Sequence, residues 1–511
     1  MTSTCFSAGT IVTGTSEAAD WVVMTDDVVS AVGRGETPHT DRTVDLDGGA
    51  LVPAFRDGHV HLQVTGLFRS ALDFRGCRDG NEVVAGFAAR VDQGDGILFG
   101  GNFEEPLDPP VTRVELDAAV GERKAMLARA DLHSCVVSTA LLNELDLSAV
   151  EGVDRDERGT PTGYLREAAS ATAWRAFDGG LDPRAQRDAV RAGVLAAYSK
   201  GVAEAHEMFV VEWRGWDSAE AFFANIGPCA LNVPIYLGTD DVERVHDMGF
   251  ERIGGDFFLD GSFGSHTAWM ASPYRTPPPS GSPEKGVAYR SDDDLFDFFY
   301  ESQSKGMQVG VHAIGDAAIE QAIAAWERVA DKVGIEEIRR RRHRIEHFEC
   351  AADDHIARSA ALGLAASVQP AFDRFWGGES GLYSQRIGWD RAAKMNRFKS
   401  MLDAGVVVGG GSDSTVTPLD PFLQMTALRD HHVAGERLDA RDALTAVTAG
   451  VAALAPFEGQ RGTIAGSQWA DFAWLDRNPL EVGTDDLVGT EVLGTWIAGR
   501  RVWPGSEAES I

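Results

Sequence analysis

The chain has 511 residues, 44% of them hydrophobic, and carries a net charge of −31 from 78 acidic and 47 basic side chains. That length supplies more than one structural unit with ample core, and the acidity excludes nucleic acid and anionic membrane surfaces as natural partners, because phosphate is repelled. Five scattered cysteines without a Cys-x-x-Cys pair make no disulfide framework or zinc finger; without a signal sequence or a run of ~20 apolar residues, a cytoplasmic protein is expected, not bound to a membrane.

The first fifty residues read as short strands: GTIVTG (9–14), WVVMTDDVVSAVGRG (21–35) and RTVDLDGGALVP (42–53). They are rich in Val, Ile and Thr and punctuated by Gly and Asp. GTIAGSQWADFAWLD (462–476) and EVLGTWIAGRRVW (491–503) read the same way. Each end alone is too small to bury a core, so residues 1–52 and 457–511 are expected to form one small β-sandwich domain.

Between them, strand candidates alternate with helices. The strands are ALVPAFRDGHVHL (50–62), GVAEAHEM (201–208), VPIYLG (233–238), IGGDFFLDGS (253–262), MQVGVHAIGD (307–316), HRIEHFE (343–349), LAASVQP (364–370) and VVVGGGSD (406–413). Helices are expected at DAAIEQAIAAWERVADKV (316–333), ADDHIARSAALG (352–363) and RAAKMNRFKSMLDAG (391–405). Strand–helix alternation implies a parallel α/β sheet, and eight such units imply a (β/α)8 TIM barrel over 53–456. The surplus length, about 63–200, reads as a large insertion after the first barrel strand, part helix and part lid. SPYRTPPPSGSPEKG (272–286) reads as a long loop. The basic run RRRRHR (339–344) reads as a solvated helix end.

The strand ends carry the chemistry. His59 and His61 close the first, and a period of two puts them on one face. Glu204, His206 and Glu207 lie on the second, Asp256 and Asp260 on the fourth, His312 and then Asp316 on the fifth, His347 on the sixth and Asp413 on the eighth. Any one histidine is more often structural than a ligand. Of 13 histidines, however, five sit at these ends, and barrel strands converge there on one face. Imidazoles with a carboxylate suit a divalent ion, Zn2+ first, with room for a water. Such an ion acidifies water and polarises a carbonyl, and a nearby carboxylate shuttles the proton. Asp413 suits that task, since GGGSD lets the backbone approach closely.

HVHL, TGYLREAA, DGSFGSHTA, HAIGDAAIEQA, HRIEH followed by SVQP, and GSDS followed by DPF occur in this order. Together they resemble the metal-dependent amidohydrolase superfamily, in its branch of N-substituted formamide deformylase-like and YtcJ-like hydrolases. The resemblance spans nearly the whole chain. It implies that His59 and His61 bind one metal, and that His312 and His347 bind a second or polarise substrate around a single ion. It makes Asp413 both ligand and general base. It implies hydrolysis of a non-peptide C–N bond, of amide or formamide type, in a small neutral molecule by metal-activated water, with a histidine such as His347 steadying the oxyanion. A homodimer is its expectation for assembly. A cyclic amidase, deaminase or carbamate hydrolase, or a non-catalytic scaffold relative, would carry the same fold.

One position departs from the branch. Where it has a lysine on the fourth strand, this chain has Asp256, a much shorter side chain. Asp256 bridges two ions if the strand is shifted; Glu167 of TGYLRE supplies the bridge from the insertion; or one ion is bound by His59, His61, His312 and Asp413 with His347 behind them. The last arrangement is the one expected here. His206, His266 and His133 are candidates for substrate contact, with a hydrogen-bonded core histidine as the plain reading of His206. Asp316 is read as a helix cap. Glu346, opposite His347 by alternation, is read as structural. FDRFW (372–376) lines a pocket or packs a loop.

Overall fold

The computed structural model describes residues 2–14, 18–93, 96–278, 282–455 and 461–504. The boundary expected at 457, and residues 279–281 of the expected long loop, lie outside the described residues. The chain forms two compact units: Met1–Val60 with Val194–Phe209 and Cys229–Ile511, and His61–Gly193 with Val210–Pro228.

In the first unit both termini contribute to one pair of sheets. Ser3–Ser7, Trp21–Thr25, Val28–Gly33 and Arg42–Asp45 form a four-stranded sheet. Thr10–Ile11, Ala50–Pro53, Phe472–Leu475, Val492–Ile497 and Arg500–Trp503 form a five-stranded one. N- and C-terminal strands meet directly, with Pro53 opposite Phe472. Phe6 fills the shared core edge-on to Phe472 at 5.4 Å and Trp496 at 5.2 Å. Truncating such an aromatic typically costs about 3–5 kcal/mol.

The stretch 50–62, read as one strand, is two. Ala50–Pro53 belongs to the terminal sheet; after Ala54, whose N–H donates to the Asp471 carbonyl, a new strand begins. It opens a parallel series: β1 (Phe55–Val60), β2 (Val202–Phe209), β3 (Ile235–Leu237), β4 (Arg252–Phe258), β5 (Gln308–Ala313), β6 (Arg344–His347), β7 (Ala365–Val368) and β8 (Val407–Gly410). These strands hydrogen-bond as a three-stranded sheet β3–β2–β1 and a five-stranded sheet β4–β5–β6–β7–β8. A lone parallel bridge joins Val60 to Ser414. Every residue of β1, β2 and β4–β7 is buried, as expected where parallel strands are covered on both faces.

Helix Asp316–Val333 follows β5 with the predicted bounds and buries Ile319, Ile323 and Trp326 at helical spacing. The helix expected over 391–405 is broken into Trp389–Ala392 and Phe398–Asp403, with Asn396 at φ +54° between them. The basic run divides as well. Arg339–Arg341 occupy the last turn of helix Ile335–Arg341, as expected. His343 and Arg344, read as solvated, are fully buried, with His343 stacked on Trp326 at 3.7 Å.

The second unit holds a mixed sheet that the sequence reading missed. Its order is Val153–Arg155, Pro161–Arg166, Ser134–Val137, Ala125–Arg129, Leu98–Phe103, Leu72–Asp73. One face packs Phe68, Phe99, Trp174 and Phe177; the other packs Phe74, Phe87, Leu116 and Leu127. Among the described residues, no helix is long and apolar enough to cross a membrane.

Candidate metal centre

Five side chains of the first unit converge from separate strand ends. His59 comes from β1, Asp256 from β4, His312 from β5, His347 from the last position of β6, and Asp413 from the turn after β8. Asp413 stands at φ +50°, and its N–H donates to the His59 carbonyl at 2.8 Å. A Cβ on Gly411 would collide with the His59 backbone. The glycine run thus lets the β8 turn close on β1, as the sequence implied.

Asp256 is the hub. Its Oδ1 lies 3.6 Å from His312 Nδ1 and 3.6 Å from His347 Nε2; its Oδ2 lies 3.4 Å from His59 Nε2. Asp413 Oδ1 faces His59 Nε2 at 3.6 Å. Within the first unit two overlapping groups result, His59–His347–Asp413 and Asp256–His312–His347, each with its donor atoms within 4.8 Å of one another. The reach that an aspartate lacks is supplied by the main chain. Between Gly254 and Phe258 the pairing of β4 with β5 shifts register, and Gly254 and Gly255 stand at φ +86° and +69°. A bulge of this kind re-aims the side chain that follows it.

The far side of each ring fixes its tautomer. His59 Nδ1–H donates to Glu346 Oε2 at 3.0 Å, His347 Nδ1–H to Gln369 Oε1 at 2.8 Å, and His312 Nε2–H to the Gly261 carbonyl at 3.4 Å. The remaining nitrogens therefore present lone pairs to Asp256. His347 Nε2 is buried and makes no hydrogen bond among the described residues. In neutral rings, lone pairs facing a carboxylate at 3.4–3.6 Å call for a cation between them, a proton or a metal ion. Three imidazoles and two carboxylates are the donors a divalent ion such as Zn2+ takes, so the residues present fit a metal.

The electrostatics express the same demand. Burial opposes charge on His59, yet Asp256 and Asp413 raise its pKa well above the ordinary imidazole value. Burial also works against the Asp256 carboxylate, but His59 and the neighbouring rings hold it well below the usual range. Behind the cluster, Asp57 accepts the N–H groups of Ser412 at 2.9 Å and His59 at 3.2 Å, stitching β1 to the β8 turn; burial pushes it up to about 6. Asp260 accepts N–H bonds from Trp269, Ile314 and Gly315 at 2.8–3.0 Å, so it braces the β4 and β5 loops.

The other expected residues come from other elements. His61, one residue past the end of β1, stands at the N-cap position of helix Leu62–Ser70 at the start of the second unit. In that unit Glu167 accepts a hydrogen bond from His133 Nδ1 at 3.0 Å, and the His133 ring stands edge-on to Trp213 at 5.4 Å. His206 is fully buried and hydrogen-bonded between Arg344 Nη1 at 2.8 Å and Glu204 Oε1 at 3.0 Å. His266 is buried against Tyr274 at 5.1 Å. Gly315, not Asp316, caps helix Asp316–Val333; Asp316 accepts the Ala271 N–H instead. Phe372 stacks on His347 at 6.0 Å, so FDRFW flanks the cluster. Glu346, read as structural, holds His59; Arg344, read as solvated, grips Glu346; Gln369 carried no expectation. The Gln of SVQP, one strand beyond HRIEH, was the available signal for Gln369.

The model of the amidohydrolase family matches residues 42–503. YtcJ of Bacillus subtilis (strain 168), which carries an amidohydrolase name, is 27% identical over 95% of this chain and 96% of its own. The N-substituted formamide deformylase of Arthrobacter pascens is 25% identical over 91% of this chain and 90% of its own. The crystal structure of a metal-dependent hydrolase of uncharacterised role from Pyrococcus furiosus is 26% identical, with a TM-score of 0.73 over 94% of this chain and 100% of its own. A match of that extent makes this chain a member of the amidohydrolase family, a metal-dependent hydrolase of carbon–nitrogen bonds.

Proposed function

We propose that the protein hydrolyses a non-peptide amide or formamide bond in a small, neutral or weakly polar molecule. The two parallel sheets are read as arcs of one (β/α)8 barrel, the paired terminal sheets as a β-sandwich domain and the second unit as its insertion. The metal ligands are His59, His61, His312, His347, Asp256 and Asp413, and Zn2+ is the ion the donor set suits best. The observation that carries the reading is the shared orientation of three lone-pair nitrogens toward Asp256 at 3.4–3.6 Å. Because Oδ2 faces His59 while Oδ1 faces His312 and His347, Asp256 is suited to join two ions. That arrangement replaces the single-ion expectation, and the Glu167 bridge drops out of it.

Bound there, a divalent ion lowers the pKa of water and polarises the scissile carbonyl. Asp413 takes the proton of the attacking water and returns it to the departing amine. The turn that carries Asp413 is tied to the His59 carbonyl at 2.8 Å, which holds its carboxylate against the cluster while the proton moves. His347 enters as a ligand; an oxyanion donor would need its opposite tautomer, which the Gln369 contact opposes. The resemblance to N-substituted formamide deformylase favours formamides among amide substrates.

Metal analysis of purified protein and a panel of N-formyl amines, N-acyl amines, hydantoins and carbamates test the reading. Near two ions per chain and turnover of an N-formyl or N-acyl amine are expected. Turnover confined to hydantoins or carbamates would move the activity to another reaction class, and a protein unable to bind metal would overturn the reading.

A further inference from the structure

The ring of His59 is held from behind by buried charges rather than by the apolar packing usual in a core. Glu346 accepts its Nδ1–H at 3.0 Å. Arg344 grips the same carboxylate with both arms, Nε to Oε1 at 2.5 Å and Nη2 to Oε2 at 2.8 Å. The same guanidinium donates through Nη2 to the carbonyl of Gly58 at 2.5 Å, one residue before His59. One group therefore sets both the main chain and the ring of a single ligand. Its remaining arm donates to His206 Nδ1 at 2.8 Å, and His206 passes its Nε2–H to Glu204 at 3.0 Å. Glu204 in turn pairs with Arg56, which reaches Asp471 beside the terminal sheet at 3.2 Å. Glu204, His206, Arg344 and Glu346 are wholly buried. Replacing such a buried network by apolar side chains is often neutral or stabilising, so stability alone is a poor reason for it.

We propose that Glu346, clamped by Arg344, is a positioning residue that fixes the Nε2 of His59 as the metal-binding atom. The inference rests on the reading of His59 as a ligand. A neutral imidazole has one N–H; a carboxylate accepting it at Nδ1 leaves the lone pair on Nε2 and makes that nitrogen a better donor. Without Glu346 the ring would be free to exchange tautomers or turn, and the first cost would fall on metal affinity.

The test is Zn2+ affinity of the full-length protein by chelator competition, alongside thermal melts without metal. Glu346→Ala should weaken Zn2+ binding roughly 10- to 100-fold, the range of such outer-shell changes. Glu346→Gln, whose amide oxygen still accepts the Nδ1–H, should lie between wild type and Glu346→Ala. Its Co2+-loaded form should show a displaced visible spectrum, which a purely structural role would not produce. If Glu346→Ala fails to fold, Glu346→Gln decides alone, with at least a fivefold loss expected. Folded variants that bind Zn2+ within threefold of wild type would overturn the proposal. The underlying reading fails separately, if His59→Ala binds Zn2+ as tightly as wild type.

Discussion

Replacing Asp413 by Asn should abolish turnover while leaving the fold and most of the metal in place. The substitution keeps the shape of the side chain and removes its basicity. Asn tolerates a left-handed backbone well, so the φ of +50° at this position is no obstacle. The bonds that shape the turn are made by the backbone, from Asp413 N–H to the His59 carbonyl at 2.8 Å and from Val416 N–H to the Asp413 carbonyl at 2.7 Å. Neither is touched, and a stability change within about 1 kcal/mol is expected. The rate is another matter. A positioned general base contributes roughly 10²- to 10⁴-fold, which corresponds to about 3–5 kcal/mol of barrier at ~1.4 kcal/mol per decade. The assay is kcat on an N-formyl amine, with metal content measured in the same sample and excess Zn2+ added to restore any loss. Metal-replete Asp413→Asn that retains more than a tenth of wild-type kcat would refute its role as base.

Removing metal by chelation should lower Tm and re-addition should restore it; a thousandfold excess over Kd stabilises by about 4 kcal/mol, and melts that ignore added Zn2+ would contradict the site. Gly255→Ala forces a side chain into φ +69° and against Met208 and Tyr236. It should cost about 1–3 kcal/mol and weaken Zn2+ binding, read by melts and chelator competition; an unaffected variant would show that the bulge does not set Asp256. Glu204 predicts an acid limb. Burial alone would raise its pKa, but Arg56 holds it at about 2 against 4.5 when unfolded. A depressed carboxylate stabilises above the unfolded value and loses that contribution as pH falls from 4.5 toward 2. The gap corresponds to roughly 3 kcal/mol. The stability margin of wild type over Glu204→Gln in urea melts should shrink steadily across that range, and a constant margin would count against it.

Much of the candidate site was legible because strand ends are short-range signals. His312 and Asp413 end Val-rich runs and His59 ends the apolar-turn stretch ALVPAFRDG, and those local patterns need no knowledge of partners. Glu346 was misplaced by an assumption that holds inside strands and fails at their ends. Alternation sets it opposite His347 only while the backbone stays extended. Here His347 stands at φ +70° and Phe348 at φ +50°, so the chain turns and the two side chains serve neighbouring parts of one cluster. Arg344 was hidden by its company, since a run of four arginines reads as solvent-facing until the helix end at Arg342 divides it. The second unit was unreadable for another reason. Its strands are short and interrupted by Gly and Pro as in GGNFEEP, so no hydrophobic period survives long enough to be seen.

Asp256 shows why residue type alone could not settle the centre. Judged by side-chain length, an aspartate in place of the expected lysine falls short of the cluster. The flaw is to treat the backbone as fixed. IGGDFF places two glycines directly before the carboxylate, and both adopt conformations that a side chain would resist. A Cβ on Gly254 would strike the carbonyl oxygen of Gly310 in the neighbouring strand, and one on Gly255 would strike Met208. The main chain can therefore bulge at that point and carry Asp256 bodily toward three imidazoles. Reach lost from the side chain is regained by the strand, and the glycine pair is as much a part of the candidate centre as the carboxylate it displaces.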